Sequence, residues 1–514
     1  MTARRPISLA EWSRIARGFD ERLTIRRITA TWREIRWSSS ERLLRHAETV
    51  ARWMRQDGLD DVEVLRLPAD GRTAYGGWVL PLAWSPRAAR LELAAPAHGV
   101  RLLADYRKCP HHLAMWSAPT PPGGVVAELV PATAPPRNRI ILLDGAPDLE
   151  RIIALQRAGA LGFVTDWVRT YPGIRDAADM EQAVSYLNWH QPQWQVPAGH
   201  RGFGFGITPA MGRRLRALLA AGPVRLHATV DADLGAGELP VITGRLPGRT
   251  SQDILVTGHI DEPGANDNAS GPMLGLGVGR VLAQAARRGW KPERGLRFLF
   301  SVEVRAQNAL VNTHPQLFRN AVWGLNLDML GCDQRRVRST LAIAPNPPPL
   351  PDPILPLVLR TRPARASRWK LCQTVNDNAM GDPAVGVPTT VLEQAPDVTY
   401  HTSLDTPENI SAPAVRSMGR WIGGLLGHLC SAGPREIAAI ARLNDEFARK
   451  RIADVSVRAP ASVLHHAAQE RRRIDGLQRW IANDPFPWSD GRQPRPLLGR
   501  GGLSAVEAAC QEIA

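Results

Sequence analysis

Two hydrophobic patterns alternate along the chain. Short apolar runs bounded by glycine or polar residues occur at Val241–Arg245, Ile254–Thr257, Leu296–Val302, Ala321–Leu327 and Thr389–Leu392. They predict strands buried on both faces. Between them Met273–Ala286 predicts a helix, and its small residues Gly275, Gly277 and Gly279 suit close packing on a sheet. Strands alternating with helices predict an α/β fold, a mostly parallel sheet sandwiched by helices. Ligands of such sheets bind beyond the carboxyl ends of the strands.

Upstream, Ala47–Met54 places Val50, Trp53 and Met54 on one side of a helix that Gly58 terminates. Val62–Leu67 alternates like a strand, and Gly71–Trp84 reads as a strand pair or turn around Gly76-Gly77. A second, smaller α/β unit is expected at about residues 91–237. Its strand Arg139–Leu143, helix Leu149–Ala158 and strand Gly162–Thr165 are joined by Ala-Gly-Ala, and Gly204–Leu219 supplies a closing strand and helix. From about residue 413 helices are expected at Ala414–Cys430, Pro434–Arg451 and Val463–Ile481, with a proline-rich break at Asp484–Pro496. The expected organisation is therefore 1–90 and 238–412 as two parts of one main domain, 91–237 as an insert, and 413–514 as a helical extension. That extension packs on the main domain or mediates self-association into a homo-oligomer.

Composition removes several function classes. The chain has 514 residues and 44% hydrophobic content, enough for about three domains with a large core. No apolar run approaches the ~20 residues of a membrane span. No apolar segment follows the basic N-terminus, so no secretory signal is expected. The five cysteines form no CxxC pair and no disulfide framework, which leaves the cytoplasm as the expected location. The net charge of +15 invites a nucleic-acid reading. Lysine occurs only at Lys108, Lys291, Lys370 and Lys450, and the arginines are scattered, so the excess reads as codon bias. Arg471–Arg473 reads as a solvated helix face. Neither nucleic acid nor membrane is expected as a partner.

The chemistry concentrates in Val256–Gly271, VTGHIDEPGANDNASG. His259, Asp261, Glu262 and Asp267 lie there among Gly258, Gly264 and Gly271, between an apolar strand and a helix. Imidazole and carboxylate donors on a tightly turning loop at a strand end are the composition of a metal site. Downstream, Glu303 follows an apolar strand, Asp328 ends another, and Asp377 and His401 lie in polar loops. His111-His112 is set aside as surface or loop, because neighbouring side chains of an extended segment point opposite ways. Trp116, Tyr186, Trp189, Trp194, His190 and His200 are aromatic candidates for a cleft or for the core of the insert.

His-x-Asp followed by Gly-Ala-Asn-Asp-Asn-Ala-Ser-Gly resembles the co-catalytic zinc aminopeptidases, metallopeptidase family twenty-eight. Asn326-Leu327-Asp328-Met329-Leu330-Gly331, Asp377-Asn378 ahead of Gly386-Val387-Pro388, and His401-Thr402-Ser403-Leu404-Asp405-Thr406 follow in family order. The resemblance implies that His259 and Asp328 bind one metal, that Asp267 bridges two, and that His401 binds the second. It implies that Asp261 holds the far ring nitrogen of His259 and that Glu303 is the general base. It also implies that the insert resembles a protease-associated domain, which positions or covers substrate. Two positions depart from the family. Val304 stands where a second, metal-binding glutamate is usual, and Asn378 stands where histidine is usual. With Val304 the second metal keeps only Asp267 and His401, or Glu303 becomes a ligand and the base is supplied elsewhere, as by Glu262.

The implied activity is metal-dependent hydrolysis of amide bonds, most simply by an aminopeptidase acting on small peptides with one or two zinc ions. Glu262 or Asp377 is the candidate anchor for the substrate's free amine. The alternatives are a mononuclear amidohydrolase or glutaminyl-cyclase-like enzyme, and a non-catalytic binding protein on a decayed peptidase scaffold.

Overall fold

A computed structural model describes residues 7–34, 36–37, 40–97, 100–187, 202–346, 350–363, 368–372 and 377–481. Its main sheet has eight strands in the order Asp60–Ala69, Gly237–Leu246, Gly295–Ser301, Asp253–His259, Ala321–Asp328, Thr389–Glu393, Leu341–Pro345, Trp369–Leu371. The four central strands, Gly295–Ser301 through Thr389–Glu393, run parallel. The flanking pairings to Gly237–Leu246 and Leu341–Pro345 are antiparallel. Every residue of Asp253–His259 and Ala321–Asp328 is buried, as apolar runs covered on both faces require.

Helix Ser270–Arg287 packs on the two most central strands. Around it lie Leu9–Ile15, Glu21–Arg33 and Ala412–Ser431, and the Glu41–Asp57 helix covers the first two strands of the sheet. Ala412–Ser431 is thus part of the main core, with Ile422, Leu425, Leu426 and Leu429 buried in it. Beyond it, Pro434–Arg458 and Val463–Asp475 pack on each other and return to the main domain, where Arg479 donates to the Gly386 carbonyl at 2.7 Å. Arg473 departs from the solvated face expected of its cluster: it is buried, pairs with Glu470 and lies over the Phe447 ring. Asp484–Pro496 falls outside the described residues. No helix among the described residues is long and apolar enough to cross a membrane.

A second, seven-stranded sheet follows the order Val100–Asp105, Ala83–Ala97, Val224–Gly235, Val125–Pro131, Ile140–Leu142, Gly162–Thr165, Phe203–Gly206. It has its own core around Trp84, Leu91, Trp116, Phe205 and Leu226. The strand Ala83–Ala97 belongs wholly to this sheet, so the unit begins upstream of residue 91. The chain leaves the main sheet at Ala69 and re-enters at Gly237, and those two residues pair directly.

The insert is tied to the main domain beside residue 401. Tyr186 N–H donates to the His401 carbonyl at 2.8 Å, and Ser403 N–H donates to the Val184 carbonyl at 2.8 Å. Arg175, itself buried, donates to the Tyr400 carbonyl at 2.5 Å.

Candidate metal centre

The carboxyl ends of the parallel strands converge on one place. His259 and Asp328 are the last residues of their strands, and Glu303 lies two residues beyond Ser301. His401 comes from the loop that follows Thr389–Glu393. Parallel pairing in register sets these ends side by side. Between strand and helix, Asp267 is placed by Asp405, whose two carboxylate oxygens accept from Asn266 N–H at 2.8 Å and Asp267 N–H at 2.9 Å. Asn268 Oδ1 accepts from Gly271 and Met329 N–H groups, and Asn266 Oδ1 from Gly331 N–H, so the loop also fixes the turn after Asp328. Two glycines are required by closeness. A Cβ on Gly264 would lie 2.2 Å from Asp405 Oδ2 and 2.4 Å from the Asp267 carbonyl, and one on Gly271 would lie 2.1 Å from the Leu327 carbonyl.

Two triads result, sharing Asp267. His259, Asp267 and Asp328 offer donor atoms within 4.8 Å of one another, and so do Glu262, Asp267 and His401. His259 Nε2 is 3.3 Å from Asp267 Oδ1, and His401 Nε2 is 3.1 Å from Asp267 Oδ2 and 3.4 Å from Glu262 Oε2. His259, Glu262, Asp267 and Asp328 are buried, whereas the His401 side chain is 31% exposed and opens the cluster to solvent.

The charge balance of the cluster calls for a cation. Asp261, Glu262, Asp267, Asp328, Asp377 and Asp405 are all buried there, offset in part by Arg36 and Arg305. Burial raises the pKa of Glu262 to about 7, and the neighbouring Asp267 adds to the shift. Burial and Glu262 likewise hold Glu303 well above the ordinary glutamate value. Burial alone would depress both imidazoles, but the carboxylates outweigh it: Asp328 foremost for His259, and Glu262 for His401, leave both well above the ordinary value. A buried field this negative is stable only with protons or a cation in it. Imidazole nitrogens and carboxylate oxygens, three to each triad, fit a zinc-type ion that keeps a further position for water.

A larger hollow of about 810 Å³ lies among Leu357, Trp421, Leu425 and Ile440 and shares no residue with this cluster. It lacks any such donor set, so the chemistry belongs at the strand ends.

Residues 241–426 match the family model described as Peptidase family M28. The segment that carries the cluster is thus similar to that family. Among solved structures it is similar to the Peptidase M28 precursor from Shewanella amazonensis SB2B, at 14% identity and a TM-score of 0.59, over 83% of this chain and 96% of that one. It is also similar to BSAP, a zinc aminopeptidase from Bacillus subtilis, at 18% identity and a TM-score of 0.53, over 80% of this chain and 95% of that one. At these identities the likeness speaks for the fold. None of the curated proteins compared matches the chain significantly.

Within this site the structure brings His259, Glu262, Asp267, Asp328 and His401 together and changes the parts given to three residues. Asp261 does not hold His259. Its Oδ1 accepts from Glu303 N–H at 3.0 Å, and the far nitrogen of His259 pairs with Asp377 Oδ2 at 3.1 Å. Asp377 in turn cannot anchor a substrate amine, because it is fully buried and its other oxygen accepts from Val304 N–H at 2.6 Å. Glu262 is 3% exposed and faces His401, so it stands inside the cluster and not at a substrate-binding rim.

His111 is buried, not at the surface, and with Tyr186 it walls the cleft beside Glu262 and His401. Tyr186 stacks on Trp37 at 5.5 Å and meets the His401 ring edge-on at 5.2 Å. Trp116 is a core residue of the insert, with Arg305 4.9 Å above its ring. Trp189, His190, Trp194 and His200 fall outside the described residues.

Sequence reasoning missed Arg36, which is fully buried and donates to the carbonyls of Ile260 at 2.8 Å and Gly264 at 2.9 Å. Nothing local marks it. Asp405 lay in a family element but had no role assigned. Glu262, Val304, Met329 and His401 all have positive φ, at 70°, 56°, 54° and 54°. That region disfavours non-glycine residues and most of all a β-branched one, so backbone strain collects around the site.

Proposed function

We propose that this chain is a zinc-dependent hydrolase of amide bonds, acting as an aminopeptidase on small peptides. The observation that supports it most is the pair of triads sharing Asp267 at the strand ends, with the Glu303 carboxylate in the same field. His259, Asp267 and Asp328 would hold one ion, and Asp267 and His401 would reach the second. Bound there, zinc supplies a polarised substrate carbonyl and a water that ionises near neutral pH.

The chain's own groups do the rest. Asp377 orients the His259 ring through its far nitrogen. Asp405 fixes the Asp267 backbone, so that the shared carboxylate does not drift. Glu303, with its raised proton affinity, takes the proton of the attacking water and returns it to the departing amine. Tyr186 and His111 of the insert line the small hollow beside Glu262 and His401, which supports for the insert the covering part of a protease-associated-like domain. The free cysteines Cys109, Cys332, Cys372 and Cys430 suit a reducing cytoplasm.

The test is hydrolysis of a panel of aminoacyl anilides, with and without an N-acetyl group, before and after chelation and zinc return. Cleavage of the free-amine substrates alone, abolished by chelator and restored by zinc, is expected. Cleavage indifferent to chelator would end the metal reading. Ammonia release from an N-terminal glutamine without peptide cleavage would replace it with the cyclase reading, and no turnover under any condition with the binding-protein reading.

A further inference from the structure

We infer that Glu262 is the carboxylate ligand of the second metal, standing in for the glutamate that Val304 replaces. The inference rests on the metal-hydrolase reading above and deepens it.

Valine has no donor atom, and the N–H of Val304 is engaged by Asp377. Glu262 presents Oε2 3.4 Å from His401 Nε2, while Asp267 Oδ2 lies 3.1 Å from the same nitrogen. Zinc donors sit about 2.0–2.2 Å from the ion in a tetrahedron, so pairs of donor atoms are separated by about 3.3–3.6 Å. The Glu262–His401 spacing falls on such an edge, and the Asp267–His401 spacing is slightly shorter. Hydrogen bonding accounts for less. A single Nε2 carries one proton for two facing carboxylate oxygens, and a carboxylate buried beside another without a cation is costly.

The backbone holds Glu262 in that position. It lies in the left-handed region at φ 70°, which turns the chain sharply after Asp261, and His401 opposite it has φ 54°. Arg36 binds the carbonyls on either side of the turn, at Ile260 and Gly264. Tyr186 N–H fixes the carbonyl of His401. Two strained residues are thus locked face to face, the arrangement in which strain serves a site. With Glu262 counted, each metal position has three protein ligands and one place for water. The second position is then as well built as the first, and the weak site that Val304 implied disappears.

The experiment uses the full chain, stripped of metal by dialysis, with zinc alone as the probe. Zinc content by elemental analysis and affinity by calorimetry are read for the wild type, Glu262→Gln and Glu262→His. The wild type should bind two zinc ions per chain. Glu262→Gln should keep one and bind the other more than about a hundredfold more weakly, beyond the 10–100-fold typical of a residue that only orients a ligand. Glu262→His should keep both, since imidazole is itself a zinc ligand. Metal-free melting checks the fold: Glu262→Gln should melt no lower than the wild type, because it removes a buried carboxylate beside Asp267. If Glu262→Gln does not fold, Glu262→His decides: two tight ions support the inference and one overturns it. Two tight ions in Glu262→Gln, or one in the wild type, overturn it while leaving a metal hydrolase in place. No zinc in the wild type overturns the metal reading as well.

Discussion

Glu303 stands in a field of like charge. Burial, Glu262, Asp377 and Asp261 raise its pKa, and His259 works against them. Glu303→Gln keeps the shape and removes the carboxylate proposed to accept the proton. It is expected to lower kcat by about 10²–10⁴-fold and to leave the zinc content measured by elemental analysis unchanged. His46, outside the site, gives a pH prediction. Burial, helped by Arg36, pushes its imidazole down to about 3. The unfolded chain takes up that proton below about pH 6.5 and the folded chain does so only near 3. Stability should therefore fall as pH drops from about 6.5, by up to about 1.4 kcal/mol per pH unit. Melting curves of His46→Leu between pH 6 and 4 should be flatter than those of the wild type. The motifs singled out His259, Asp267, Asp328 and His401, which the fold brings together, because each sits at a strand end or in a short signature. They exchanged Asp261 and Asp377 because the ring partner of His259 is 118 residues away, and no local spacing encodes such a pairing.

The loop from His259 to Ser270 is a single interlocked element. Gly264→Ala would put a methyl group 2.4 Å from the Asp267 carbonyl, which as backbone cannot step aside. A loss of about 2–3 kcal/mol is expected, read by denaturant melts, together with weakened zinc binding. The central strands were legible because burial on both faces makes them continuous apolar runs. Trp369–Leu371 was not legible, being short and exposed on both faces at the sheet edge. Ala83–Ala97 was hidden in part by Pro86, which lies beside a register shift in its pairing with Val224–Gly235.

At the scale of the molecule, the strand ends hold together what the metal is expected to neutralise. Zinc return to the stripped protein should therefore raise the melting temperature. One site filled at a hundred times its Kd adds about 2.7 kcal/mol, and a calorimetric scan with and without chelator checks it. The α/β class was legible from alternating strand and helix patterns. The place of Ala412–Ser431 was not, because an apolar helix reads alike whether it extends a domain or completes its core.

The excursion that forms the insert begins and ends at paired residues, Ala69 and Gly237. Its ends are one strand spacing apart in the sheet, so the sheet itself closes the loop. Closure entropy grows only with the logarithm of loop length, and a tenfold longer excursion costs about 2 kcal/mol. A hairpin already tied off at its base can be drawn out into almost any cover without disturbing the register beneath. The insert can change its reach while the strands that end at His259 and Asp328 keep their pairing.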